Sequence, residues 1–276
     1  MNYKDALRPI IQEVSKKQKR NGLTFLTGAG LSAESGIPTY RGSDGIWVKG
    51  TKYHKPEEFG TWAYFCENQE EVWQFTLFKK GMVENAIPNK SHDTIAAIEE
   101  NIPERFQLIT QNVDGLHQRA GSKNIFEIHG NYRQVRCSGD CDTVLDFPSN
   151  IPTKEYLEDL TSVDLENLKC PNCGEWYRPN VLWFDEYYNE RLFKLDSARK
   201  AAKNSGILFV LGTSGATNLP IMLAQTTLKY GGYVVDINLE DNHFTELIRK
   251  NKRKVIIRDK TSNVLPVIEA LIAEFS

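Results

Sequence analysis

Four cysteines in two close pairs are the residues with the most explicit chemistry. Cys137 and Cys141 form a C-x3-C pair and Cys170 and Cys173 a C-x2-C pair, the first enclosing Ser138-Gly139-Asp140 and the second Pro171-Asn172 before Gly174. Thiolates in this pattern suit tetrahedral Zn2+, and four sulfurs leave no open coordination position, so the expected ion is structural, not catalytic. The fifth cysteine, Cys66, stands among aromatic residues and reads as a buried apolar thiol.

Two further constellations are polar. Gly28-Ala29-Gly30-Leu31-Ser32-Ala33 follows the short apolar run Leu23 to Leu26 and matches the G-x-G-x-x-G/A turn, in which glycine lets backbone approach a pyrophosphate. The acidic ribose-binding residue expected about 20 residues later in a hydride-transfer enzyme has no clean counterpart, so an ordinary dehydrogenase is not supported. Thr110-Gln111-Asn112-Val113-Asp114-Gly115 and Glu127-Ile128-His129-Gly130-Asn131 each follow an apolar run. Polar side chains at the carboxyl ends of parallel strands line the ligand crevice, so Asn112, Asp114 and His129 are expected to converge on the glycine turn. Alone, a His between a strand and a Gly reads equally well as a satisfied structural residue.

These residues need a sheet to carry them. Leu7, Ile10, Ile11 and Val14 have helical spacing. Further apolar runs lie at Phe106 to Ile109, Ile125 to Ile128, Val181 to Phe184, Ile207 to Leu211, Tyr233 to Ile237 and Val255 to Ile257. Helical patterns fall at His92 to Glu100 and Leu219 to Lys229, and a last helix is expected beyond the Ser262-Asn263 region. Runs apolar on both faces, alternating with helices, predict an α/β fold with a parallel sheet covered on both sides. The aromatic stretch Gly45 to Gly81 and the cysteine stretch Arg133 to Arg178 break this rhythm. The expected organisation is a Rossmann-like nucleotide-binding domain of residues 1–45, 82–132 and 179–276, with residues 46–81 and 133–178 inserted as a small helical and zinc-binding domain. Their junction would form a cleft.

The motifs closely resemble those of the sirtuin (Sir2) family. The resemblance rests on Gly28 to Gly42 (GAGLSAESGIPTYRG), Pro88-Asn89-Lys90-Ser91-His92, Thr110 to His117 (TQNVDGLH), Glu127 to Gly130 and the cysteine pairs. It continues through Arg178 to Phe184 (RPNVLWF), Gly212-Thr213-Ser214 and Ile237-Asn238, in order over essentially the whole chain. It implies NAD+-dependent removal of acyl groups from protein lysines. The acyl oxygen attacks the anomeric carbon of the nicotinamide ribose, nicotinamide leaves, a histidine acts as base on the ribose hydroxyls, and O-acyl-ADP-ribose results. His129 matches that base, a role worth about 10²–10⁴ in rate. Asn112 and Asp114 match the residues that hold the ribose, a water and the nicotinamide amide. Ala29, Ile37 and Pro38 match the nicotinamide pocket, Tyr40 the ring beside the reacting ribose and Arg41 the cofactor-loop arginine. Gly212, Thr213 and Ser214 match the phosphate and ribose cradle and Asn238 the adenosine ribose. Gly28, Gly30, Ser32, Ala33, Gln111 and Lys260 complete the implied NAD-binding set, and Val181, Phe184 and Asp185 the implied substrate side.

The chain departs from the family pattern in places. Tyr40 replaces the usual Phe. Asp185 stands where Gly is usual, and Ser214 to Pro220 looks one residue longer, both in segments that sandwich the substrate peptide. Thr76 and Lys79 occupy the positions where desuccinylating relatives carry Tyr and Arg. Lys79 reads either as a weak carboxylate partner or, preferably, as a solvated lysine, and both readings favour a neutral acyl group. The altered segments keep ADP-ribosyl transfer or NAD+ hydrolysis in the same pocket as an alternative, and a non-catalytic NAD+-sensing module as a more distant one.

Composition narrows the class. With 34 basic and 36 acidic side chains the formal charge is −2, so no global basic excess attracts nucleic acid or anionic membrane. No apolar stretch approaches the roughly 18 residues of a membrane span. The charged start carries no signal-peptide pattern, and the odd, clustered cysteines point to a reducing compartment. The expectation is a cytoplasmic monomer acting on acyl-lysine proteins, without a membrane or sequence-specific nucleic-acid partner.

Overall fold

The computed structural model describes residues 3–39, 56–139, 141 and 143–275; Tyr40 and Arg41 lie outside them. Six strands, β1 (Gly22–Thr27), β2 (Phe106–Thr110), β3 (Ile125–Glu127), β7 (Ser205–Leu211), β8 (Tyr233–Ile237) and β9 (Lys254–Ile257), form one sheet in the order β3-β2-β1-β7-β8-β9. Every pairing in it is parallel. Chain order runs outward from β1 in one direction and from β7 in the other, so the carboxyl ends of β1 and β7 are the switch point at which such sheets bind ligands.

The apolar runs form strands because both sheet faces are covered. All seven residues of β7 are buried. Leu23, Phe25 and Phe209 face one core with the helices Tyr3–Ser15, Lys90–Asn101 and Thr261–Phe275. Leu26, Leu208 and Val210 face the other, with the helices Leu195–Asn204, Asn218–Lys229 and His243–Ile248. Phe25 stacks between Phe106 and Phe209, with ring centroids 5.3 and 4.9 Å away. Each fully buried side chain of this size contributes roughly 1.5–3 kcal/mol.

The remaining strands, β4 (Gly130–Cys137), β5 (Val144–Asp146) and β6 (Tyr177–Val181), form an antiparallel sheet in the order β5-β4-β6. Its core is shared with the aromatic segment: Phe65, Trp73 and Leu77 pack with Val135, Leu168, Tyr177 and Trp183, and the Trp73 indole donates to the Tyr177 carbonyl at 2.8 Å.

Three expectations are corrected. The run Val181 to Phe184 is not a strand of the parallel sheet. Its strand is Tyr177–Val181, antiparallel to β4, and beyond it Trp183 serves the aromatic cluster, 6.1 Å from Trp62 and 5.1 Å from Phe65 between ring centroids. Cys66 is exposed, because the helix Trp62–Glu67 turns Phe65 inward and one residue later faces solvent. Lys79 is not solvated: with Val72, Thr76 and Val83 it forms the inward stripe of the helix Gln69–Asn85 and is 3% exposed.

Candidate active site and metal centre

The site begins where β1 ends. Gly28 NH donates to the Leu211 carbonyl at 3.0 Å and Gly30 NH to the Gly212 carbonyl at 2.8 Å, so the turns after β1 and β7 are pressed together. A Cβ on Gly28 would come 2.5 Å from the Thr213 Cβ, and one on Gly212 would come 2.4 Å from the Leu31 nitrogen. Gly212 also has φ +58°. Glycine is required here by backbone meeting backbone.

The polar residues after β2 fold onto this turn. Asn112 Nδ2 donates to the Gly28 carbonyl at 3.1 Å and to Ser32 Oγ at 3.0 Å; Ser32 Oγ donates to Asp114 Oδ2 at 2.7 Å. Asp114 Oδ1 accepts from Leu116 NH at 2.9 Å. Asp114 is buried, and loss of hydration pushes its carboxyl above the usual range against the pull of those hydrogen bonds. Gln111 Nε2 donates to Thr213 Oγ1 at 2.8 Å, tying β2 to the β7 turn. Ala29, Ile37 and Pro38 are half-buried around the turn, while Ala33 and Ser214 are exposed. Asn238 lies at the end of β8, its amide 2.5 Å from buried Asp236, and Lys260 pairs with Glu34 at 3.4 Å.

His129 sits where the two sheets meet. A Cβ on the following Gly130 would come 1.9 Å from the Asn180 carbonyl oxygen, and Leu182 NH donates to the His129 carbonyl at 2.9 Å. Its Nδ1 lies 3.1 Å from the Gln111 carbonyl oxygen and its Nε2 2.9 Å from the Tyr188 hydroxyl. A carbonyl can only accept, so Nδ1 carries the proton and Nε2 the free lone pair. Burial pushes His129 down to about 4, so the ring is a neutral base at physiological pH.

Two further buried histidines, quoted in the sequence only as parts of the family motifs and given no role there, support the crevice. His92 accepts from Asn89 NH at 3.2 Å in a capping box, and His117 Nε2 lies 3.0 Å from Thr27 Oγ1. Burial pushes His92 down to about 4 and His117 well below its ordinary value. Unfolding returns all three histidines to about 6.5. Because their folded values are depressed, the unfolded chain binds more protons, and stability is lost as pH falls from about 6.5 toward 4. Asp114, raised by burial, titrates in the opposite sense but is one group against three. The melting temperature is therefore expected to drop steeply between pH 6.5 and 5, each histidine contributing on the order of 1 kcal/mol by pH 5.5. A flat profile across that range would contradict the buried neutral rings.

On the substrate side, the Asp185 carboxylate accepts from Trp62 NH at 2.7 Å and Ala63 NH at 3.1 Å, and Phe184 NH donates to the Gly60 carbonyl at 2.9 Å. The Asp185 side chain is thus engaged at the start of the helix Trp62–Glu67. Val181 is half-buried and the Phe184 ring half-exposed.

The four cysteines converge. Their sulfurs lie within 4.8 Å of one another, with Cys137 to Cys173 at 3.4 Å and Cys141 to Cys170 at 3.9 Å. A tetrahedron of zinc–sulfur bonds of about 2.3 Å has edges near these lengths, so the set fits a structural zinc ion. Gly139 NH points at Cys137 Sγ at 3.3 Å, a contact that favours thiolate. Cys137 ends β4 and His129 precedes its first residue, Gly130; the partners of Cys137 and Gly130 on β6, Tyr177 and Val181, are four residues apart, so about 13 Å of strand separates metal and base.

A family model for the Sir2 family matches residues 28–218. This chain belongs to the Sir2 family. Among its relatives, a protein of Leptospira interrogans described as an NAD-dependent protein deacylase is 37% identical over 250 residues, 91% of this chain and 92% of that protein. Of solved sirtuin structures, a Sir2 homologue in complex with NAD is 31% identical with a TM-score of 0.78, covering 97% of this chain and 94% of that one. A Sir2 homologue mutant in complex with 2′-O-acetyl ADP ribose has the same identity and TM-score, covering 96% of each chain. In this sirtuin the parallel sheet with its helices and the four-cysteine cluster accord with that membership. No helix among the described residues is long and apolar enough to cross a membrane.

Proposed function

We propose that this sirtuin is an NAD-dependent protein-lysine deacylase that transfers the acyl group to the ribose of its co-substrate. The observation that carries this is the convergence of Asn112, Asp114 and Ser32 on the glycine turn, with His129 at the junction of the two sheets. NAD+ supplies a glycosidic bond whose cleavage drives acyl transfer. Gly28, Ala29, Gly30, Ser32 and Ala33 with Gly212, Thr213 and Ser214 would hold its phosphates and riboses, Ile37 and Pro38 its nicotinamide end, and Asn238 and Lys260 its adenosine end. Asn112 and Asp114 would orient the reacting ribose, Asp114 held in place by Ser32 and Leu116. His129 would act as the base through Nε2, since Nδ1 is committed to Gln111. Val181 and Phe184 would line the peptide groove, where Asp185 acts by fixing the segment to the helix Trp62–Glu67.

The acyl group is read as neutral. Thr76 Oγ1 is already spent on the Val72 carbonyl at 2.7 Å, and burial pushes Lys79 down to about 8, with Asp114 drawing it the other way. Neither side chain offers the directed, two-pronged grip of an arginine on a carboxylate. Acetyl-lysine peptide is expected to outperform succinyl-lysine peptide, and Thr76→Tyr with Lys79→Arg to raise the succinyl-to-acetyl ratio. A tenfold succinyl preference in kcat/KM, about 1.4 kcal/mol, would contradict it. No cysteine is paired in a disulfide and four gather in one thiol set, which supports a protein of the reducing cytoplasm, and the lack of a basic excess supports protein rather than nucleic-acid partners for what is read as a monomer. NAD+ consumption against acetyl, propionyl, butyryl, succinyl and long-acyl lysine peptides tests the function. Consumption that ignores the peptide would favour NAD+ hydrolysis.

A further inference from the structure

The two segments that depart from the Sir2 pattern meet at His129. After β6 the chain is fixed in succession. Asp185 holds the start of the helix Trp62–Glu67, and Glu186 takes Arg178 at 2.7 Å, Arg136 at 2.8 Å and Trp183 NH at 3.0 Å. Tyr187 is left 90% exposed, and Tyr188 turns inward against the core on one sheet face. Its hydroxyl lies 2.9 Å from His129 Nε2, with Thr217, from the segment Gly215 to Pro220, as a polar neighbour. Thr217 in turn reaches Gln111 Oε1 at 3.3 Å, and the Gln111 backbone carbonyl fixes the other nitrogen of His129. With Nδ1 protonated, Nε2 can only accept, so the Tyr188 hydroxyl donates to the one lone pair with which His129 could act as a base.

We propose that Tyr188 is a catalytic residue of acyl transfer, relaying the proton of a substrate ribose hydroxyl to His129. This rests on the reading of His129 as the base. The ribose O–H bond breaks as its proton bonds to the Tyr188 oxygen, and the Tyr188 O–H bond breaks as its own proton bonds to Nε2. The ribose oxygen keeps the electron pair, Tyr188 ends neutral and His129 ends as imidazolium. Displacing the hydroxyl would break its bond to His129 and lift the ring from its packing, whereas a relay uses that bond in place. Burial pushes the Tyr188 phenol up to about 12, with Thr217 opposing, so the hydroxyl has its proton to give at neutral pH.

Tyr188→Phe keeps the ring and removes only the hydroxyl. The expected result is a tenfold or greater fall in kcat for acyl-ADP-ribose formation, with KM for NAD+ and exchange of labelled nicotinamide into NAD+ within twofold of wild type. In the enzyme without NAD+, the ¹⁵N shift of His129 Nε2 should report a hydrogen-bond acceptor in wild type and move in Tyr188→Phe. Unchanged or faster turnover would overturn the relay, as would an Nε2 shift indifferent to the substitution. Exchange that falls in step with kcat would overturn it too, marking a structural role. His129→Ala separates the two readings. Near-wild-type turnover in that variant removes the base itself, whereas an inactive His129→Ala beside a fully active Tyr188→Phe removes only the relay.

Discussion

Replacing Cys137 by Ser is expected to release the zinc and collapse the cysteine sheet, a loss on the order of 10 kcal/mol from the folding free energy the metal supplies. The reason lies in what surrounds the sulfur. Cys137 and Cys170 are buried in the same cluster as Val135, Leu168, Tyr177 and Trp73, so the ion anchors the core shared by the aromatic and cysteine segments. Without it, sulfurs 3.4 to 3.9 Å apart lose their common partner, and the turn at Gly139 loses its reason for order. Zinc content and thermal melting of Cys137→Ser measure the effect. Cys66→Ser is the control: its side chain is exposed and stands outside the tetrad, so metal and melting should stay at wild-type values. Retained zinc with unchanged melting in Cys137→Ser would contradict the tetrathiolate site.

His129→Ala is expected to lower deacylation by about 10²–10⁴, the usual worth of a general base, while leaving much of the NAD+ affinity. The imidazole is tied to the Gln111 carbonyl and Tyr188, not to the glycine turn, so its loss should leave the pyrophosphate cradle of Gly28, Gly30 and Gly212 intact. Separate measurement of kcat and of NAD+ binding checks this. A variant that turns over at the wild-type rate would remove His129 from the mechanism.

The parallel sheet was readable because its strands are buried on both faces: Ile207 to Leu211 is apolar throughout and could only be interior. The cysteine pairs were equally plain, since most of each metal half-site is local in sequence. Strand β4 was not, because Asn131-Tyr132-Arg133-Gln134 carries little apolar character and spans the irregular stretch between the Gly130–Val181 and Val135–Pro179 pairs of a small sheet. Val181 to Phe184 misled for the opposite reason: apolar residues there serve aromatic packing rather than strand pairing. Lys79 was misplaced because a lysine is normally solvated, and only the packing of its helix buries it. Tyr188 carried no local pattern at all. Its place on His129, 59 residues away, exists only once Asp185 and Glu186 have fixed the intervening chain.

The most direct test of the account is a product count with acetyl-lysine peptide and NAD+. The predicted result is equal amounts of free lysine peptide, nicotinamide and O-acetyl-ADP-ribose, none of them formed when the peptide or NAD+ is left out. Nicotinamide released with free ADP-ribose in the absence of peptide, or ADP-ribose attached to a peptide that keeps its acetyl group, would contradict it.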